Sequence, residues 1–225
     1  MARTIVAESE TLTERLDMAG ADRLRVFGTF SVANEDETVR FTGETGGARI
    51  VNDGVIENVA EEGRAIRFEE ETGASIAATI VNRGSISSAD DAVQIDNGDL
   101  TSGELRIVNA EGGEIRSQDG QALDLADAAG EFLSRIENDG LIASGANDGV
   151  KIGGVGSLVN HGEISGGDDA AYADGADGVS FEDEATGKFI NTGLVSGDRH
   201  GVDAGEESNI EVVNRKDGVI VGKPH

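Results

Sequence analysis

The sequence contains no cysteine, no tryptophan, one proline, and only seven Phe and one Tyr as aromatic residues. Without cysteine there is no disulfide, no thiolate nucleophile and no zinc–thiolate centre, and the redox compartment stays open. Basic residues are also scarce: 18 Lys and Arg stand against 44 Asp and Glu, for a formal net charge of −26. Such a surface repels phosphate backbones and anionic lipid, which argues against nucleic acid as a partner and against membrane insertion. No apolar run approaches the roughly 18 residues that cross a bilayer. The N-terminal stretch MARTIVAESETLTERL turns polar by residue 8 and offers no apolar segment of signal-peptide length, so Sec export is not expected.

Glycine, by contrast, supplies 33 of the 225 residues, without the three-residue period of collagen. Hydrophobic residues make up 37%, too many for a disordered chain despite the charge.

The chain is repetitive. IVNDGVIEN (50–58), IVNRGSISS (80–88), IVNAEGGEIRS (107–117), IENDGLIAS (136–144), LVNHGEISG (158–166), FINTGLVSG (189–197) and VVNRKDGVIVG (212–222) are variants of one phrase. A second phrase falls between them: TVRF (38–41), AIRF (65–68), AVQI (92–95), ALDL (122–125), GVKI (149–152), GVSF (178–181) and GVDA (201–204). Upstream, RVFGTFS (25–31) fits the first phrase with Val26 in the asparagine slot, and RLDMAGADRL (15–24) fits the second phrase and its link.

Both phrases alternate with the period of two that marks strands, and no segment has helical periodicity. Three short strands per repeat, stacked on their equivalents in the next repeat, give an all-β parallel β-helix of about eight coils over residues 16–222. At the spacing of hydrogen-bonded strands this is a rod on the order of 40 Å long. Residues 1–15 are expected to form an N-terminal cap, with Ile5, Val6 and Leu12 as lids, and 223–225 read as a tag remnant. The variable links 96–104, 117–121 and 166–177 are expected to project as loops.

One inward column is Phe30, Ile56, Ile86, Ile115, Ile142, Ile164, Val195 and Ile220. The second phrase supplies another, from Leu16 through Val39, Ile66, Val93, Leu123, Val150 and Val179 to Val202. The third runs from Leu24 through Ile50, Ile80, Ile107, Ile136, Leu158 and Phe189 to Val212.

Two polar columns are the candidate sites. Asn52, Asn82, Asn109, Asn138, Asn160, Asn191 and Asn214 read as a structural ladder in which each side-chain amide bonds its own corner and the amides above and below. The glycine two residues on is expected to supply a positive φ. Ahead of the second phrase, Glu37, Asp91, Asp148 and Asp177 occupy equivalent slots, with Asp90, Asp168, Asp169, Asp174 and Asp198 close by. Carboxylates on glycine-rich turns are suited to calcium, which takes six to eight oxygens, or form a solvated acidic edge. Catalysis finds little support: Tyr172 is the one tyrosine, His161, His200 and His225 are scattered, with His200 in the acidic column and His161 beside Gly162, and the pairs Asp90–Asp91 and Asp168–Asp169 fall three coils apart.

The phrases IVNRGSISSADDAVQI, LVNHGEISG and SGANDGVKIGGVGSLVN resemble the asparagine–glycine repeats of bacterial autotransporter passengers and related type I-secreted, RTX-like surface proteins. The resemblance covers nearly the whole chain, although the tandem calcium nonapeptide is missing. It implies a right-handed β-helix displayed outside the cell, often as an adhesin or matrix component. The reading is therefore a non-catalytic scaffold or adhesion module with protein or glycan surface partners. The alternative is a polysaccharide-active enzyme or carbohydrate-binding module. The last coil stops at Val221 with no visible cap, so the solenoid is expected to continue or to form a homodimer through that end.

Overall fold

The computed structural model describes residues 1–69, 75–96, 100–167 and 175–222. Among them the chain is all strand and turn. Its first coil is β1 (Arg3–Val6), β2 (Thr11–Leu12) and β3 (Leu16–Gly20), and its second is β4 (Arg23–Val26), β5 (Thr29–Val32) and β6 (Glu37–Thr45). The same cycle continues to Asn209–Asn214 and Val219–Val221, so three parallel sheets of nine, nine and eight strands run the length of a β-solenoid.

The register matches the inward columns residue for residue. Phe30 pairs with Ile56, Ile56 with Ile86 and Ile86 with Ile115, and the column continues to Ile220. Parallel in-register pairing sets each branched side chain on its counterpart, and the central members are fully buried. Each such burial contributes about 1.5–3 kcal/mol. Beside them Phe41 and Phe68 stack face to face, centroids 4.3 Å apart. One position before the second phrase's inward column, Arg15 of the first coil gives way in every later coil to a buried Thr, Ala or Gly. A Cβ on Gly149 or Gly178 would lie 2.7 Å from a carbonyl oxygen of the next coil.

Two expectations are corrected. Residues 1–15 do not fold over the first coil as a lid: β1 pairs in parallel with β4, and β2 with β5, so this segment supplies two strands of the first coil. Val6 is buried as an ordinary core residue, while Ile5 faces outward. The glycine after each asparagine is also not needed for positive φ; that conformation occurs elsewhere, as at Gly43 and Gly112. The cause is close approach. A Cβ on Gly54, Gly84, Gly140, Gly162 or Gly193 would lie 2.0–2.2 Å from a backbone oxygen of the preceding coil. The lengthened corners close an additional turn, with Gly113 N–H on Ala110 O at 2.8 Å and Gly218 N–H on Arg215 O at 2.9 Å.

The loops expected at 96–104 and 166–177 include 97–99 and 168–174, which lie outside the described residues, as do Asp168, Asp169, Tyr172, Asp174 and the tail 223–225.

Candidate functional site

The asparagine column is a continuous ladder. Nδ2 of Asn52 donates to Oδ1 of Asn82 at 2.8 Å, and the bond repeats through Asn109, Asn138, Asn160 and Asn191 to Asn214. The second N–H of each amide serves the corners: Asn109 Nδ2 reaches its own Gly113 O at 3.2 Å and Leu141 O of the next coil at 3.0 Å. Oδ1 also accepts the corner N–H, as from Gly54 to Asn52 at 3.2 Å. From Asn52 to Asn191 the side chains are sealed from solvent, and every polar atom has a structural partner within the stack. Beneath Asn52 the slot holds Val26 and then Val6, where an apolar contact replaces the amide.

The acidic slot is also a column, but of mixed chemistry. Counting back two residues from the inward column that joins Val39 to Val202, it reads Glu37, Arg64, Asp91, Gln121, Asp148, Asp177 and His200. Arg64 separates Glu37 from Asp91, Gln121 separates Asp91 from Asp148, and only Asp148 and Asp177 are neighbours. The carboxylates accept backbone N–H groups one coil on: Gln121 N to Asp91 Oδ1 at 2.7 Å, Asp177 N to Asp148 Oδ1 at 2.7 Å and His200 N to Asp177 Oδ1 at 3.0 Å. Serines at the same corner bind the bends: Ser88 Oγ donates to Asp90 O at 2.6 Å, and Ser144 Oγ to Gly120 O at 2.7 Å.

Guanidinium groups meet the remaining charge. Arg67 bonds Glu37 at 2.7 Å and also contacts Asp96. Arg64 bridges Asp90 and Asp91. Arg199 donates from Nε to Asp177 Oδ1 at 3.0 Å, from Nη2 to Asp177 Oδ2, and from Nη2 to Asp203 at 3.2 Å. Further along the same outward face, Arg40 joins Asp17 to Glu69 and Lys151 meets Glu182 at 3.0 Å. The four expected calcium ligands are therefore not gathered into one oxygen shell. They stand on separate coils, each bound into the stack by N–H or guanidinium donors.

Burial and crowding perturb these groups. Burial, with the Asp124 and Asp90 charges adding to it, pushes the Asp91 carboxyl up to about 7 against the pull of Gln121 N–H and Arg64. Burial also raises Asp124, and it raises Asp148, where the Asp177 charge adds to it. The hydrogen bonds that Arg199 donates to Asp177 hold its guanidinium further toward the charged form.

Among the described residues, one group of three could offer converging metal ligands, Asp177, His200 and Asp203. His200 Nδ1 lies 3.2 Å from Asp177 Oδ1 and 3.8 Å from Asp203 Oδ1. Arg199 already supplies positive charge to both carboxylates. Sequence reasoning placed Asp177 and His200 in this column but missed Asp203 and Arg199. The one available signal was Asp203's place in the alternating phase of GVDA. His161 is elsewhere, on the exposed asparagine corner, with Nδ1 2.5 Å from Thr192 Oγ1. His225 lies outside the described residues.

No protein family, curated protein or solved structure matches the chain.

Proposed function

We propose that the chain is a non-catalytic β-helical repeat domain of a secreted or cell-surface bacterial protein, serving as a scaffold or adhesion module. The observation that carries this reading is that the polar columns of the repeat serve the stack itself. The asparagines bond one another from coil to coil, and Asp91, Asp148 and Asp177 bond the backbone of the next coil. A rod joined in this way leaves its outward faces and links available to protein or glycan surfaces. Immunolabelling of intact source cells tests it. Labelling without permeabilisation is expected, whereas labelling confined to permeabilised cells contradicts surface display. Acidic polysaccharides incubated with the domain are expected to keep their size distribution, and their shortening would favour an enzyme.

A further inference from the structure

The outward face of the first sheet departs from the rest of the molecule. Six of the nine residues in one outward column are Arg3, Arg23, Arg49, Arg106, Arg135 and Lys188. Arg106 bonds Glu137 at 2.8 Å, Arg135 bonds Glu104 at 2.9 Å and Lys188 bonds Glu211 at 2.9 Å. Arg3, Arg23 and Arg49, successive members on three adjacent coils, have no carboxylate partner among the described residues. They line one cleft with Thr4, Arg25 and Val51. Arg25 is engaged already, at 3.3 Å from Asp53 and with its guanidinium 4.3 Å from the centre of the Phe27 ring.

Like charges directly opposite on neighbouring strands destabilise a sheet. A chain with 44 acidic residues and 18 basic ones keeps three arginines in that arrangement, although most of its other basic side chains pair with an acid. A local conflict of this kind marks a site at which something else completes the charge balance. The guanidinium fork matches tetrahedral and planar oxyanions bidentately. Three forks at strand spacing, about 4.8 Å apart, leave places for two oxyanion groups between them.

We propose that Arg3, Arg23 and Arg49 form a binding site for a ligand carrying at least two neighbouring phosphate or sulfate groups, lying along the solenoid axis. The acidic surface elsewhere excludes such a ligand and confines it to this cleft. The site does not depend on whether the domain is displayed at a cell surface.

Isothermal titration at low ionic strength with tripolyphosphate, a sulfated oligosaccharide and orthophosphate tests the proposal. One of the first two is expected to bind saturably, at least about tenfold tighter than orthophosphate, and the tighter of them identifies the source of the ligand. Each of Arg3→Gln, Arg23→Gln and Arg49→Gln is expected to weaken binding about tenfold or more, because each removes a charge-assisted hydrogen bond. Arg116→Gln, which alters a paired arginine on another sheet, is expected to leave binding unchanged. The unliganded Arg23→Gln protein should melt no lower than the parent, since a repulsion is relieved. Absence of saturable binding by both polyanions at about 1 mM overturns the proposal. Unchanged affinity in all three variants, equal affinity for orthophosphate, or marked destabilisation by Arg23→Gln does so too.

Discussion

Asn138 donates from Nδ2 to Oδ1 of Asn160, one coil above and 22 residues later, at 2.8 Å, with both side chains sealed from solvent. Asn138 Oδ1 in turn accepts from Asn109. Truncating one rung thus strips partners from two neighbours and from the Glu163 carbonyl. Asn138→Ala is expected to cost about 2–4 kcal/mol, since unsatisfied buried groups cost about 1–3 kcal/mol each. Asn214→Ala, at the exposed end, should cost under about 1 kcal/mol. Urea unfolding of the two variants measures the difference.

Glycines in the repeat serve two different needs, and alanine separates them. A Cβ on Gly84 would lie 2.0 Å from Gly54 O and 2.9 Å from Gly54 C and N, all backbone of the preceding coil. Gly112 has open space but a φ of 77°. Gly112→Ala is expected to cost about 1–2 kcal/mol, the usual left-handed penalty. Gly84→Ala should cost clearly more, because the coils must separate. Equal melting temperatures for the two variants would refute the close-approach explanation.

Asp91 makes stability depend on pH. Its folded-state pKa of about 7 lies above the ordinary 3.8. Between those values the folded chain binds more protons than the unfolded chain, so this stabilisation falls as pH rises and is lost above 7. Asn at this position keeps the acceptor for Gln121 N–H without the charge. Asp91→Asn is therefore expected to melt higher than the parent near pH 8 and close to it near pH 5. Parallel melting curves across that range would dismiss the raised pKa.

Arg199 holds the buried Asp177 to the last complete coil. Arg199→Gln leaves that carboxylate with weaker compensation. Breaking buried pairs costs about 3–5 kcal/mol, and discounting for the partial exposure of Arg199 gives about 2–3 kcal/mol. Hydrogen exchange should report the loss as faster opening of 202–204 and 209–214. Uniform protection in the variant would show the pair to be incidental.

Arg67 and Arg199 already pair with Glu37 and Asp177, and backbone N–H groups already bond Asp91 and Asp148. Calcium and magnesium at equal ionic strength are therefore expected to raise the melting temperature equally, by screening the acidic surface. A rise specific to calcium would support Glu37, Asp91, Asp148 and Asp177 as its ligands.

The core was legible because every coil must bury the same positions, so Phe30 through Ile220 carry an apolar residue in each copy. The asparagine ladder was legible for the same reason, since only a side chain that both donates and accepts repeats its bond from rung to rung. The purpose of Gly84 was not legible, because a glycine needed for φ and one needed for space leave the same letter in the sequence. β1 was hidden by Val6 in the asparagine slot and by the two-residue strand that follows. The ion-pair face was hidden most completely. Arg199 meets Asp177 across a 22-residue interval set by a variable link, and either sign is tolerated wherever the next coil supplies the other.

Amide exchange of the asparagine side chains is the most direct test of the claim that the repeat's polar residues hold the coils together. In water-exchange NMR, the Nδ2 protons of Asn82, Asn109, Asn138, Asn160 and Asn191 are expected to be strongly protected, with those of Asn214 and the exposed Asn34 exchanging freely. Exchange of the five at the rate of Asn34 would contradict it.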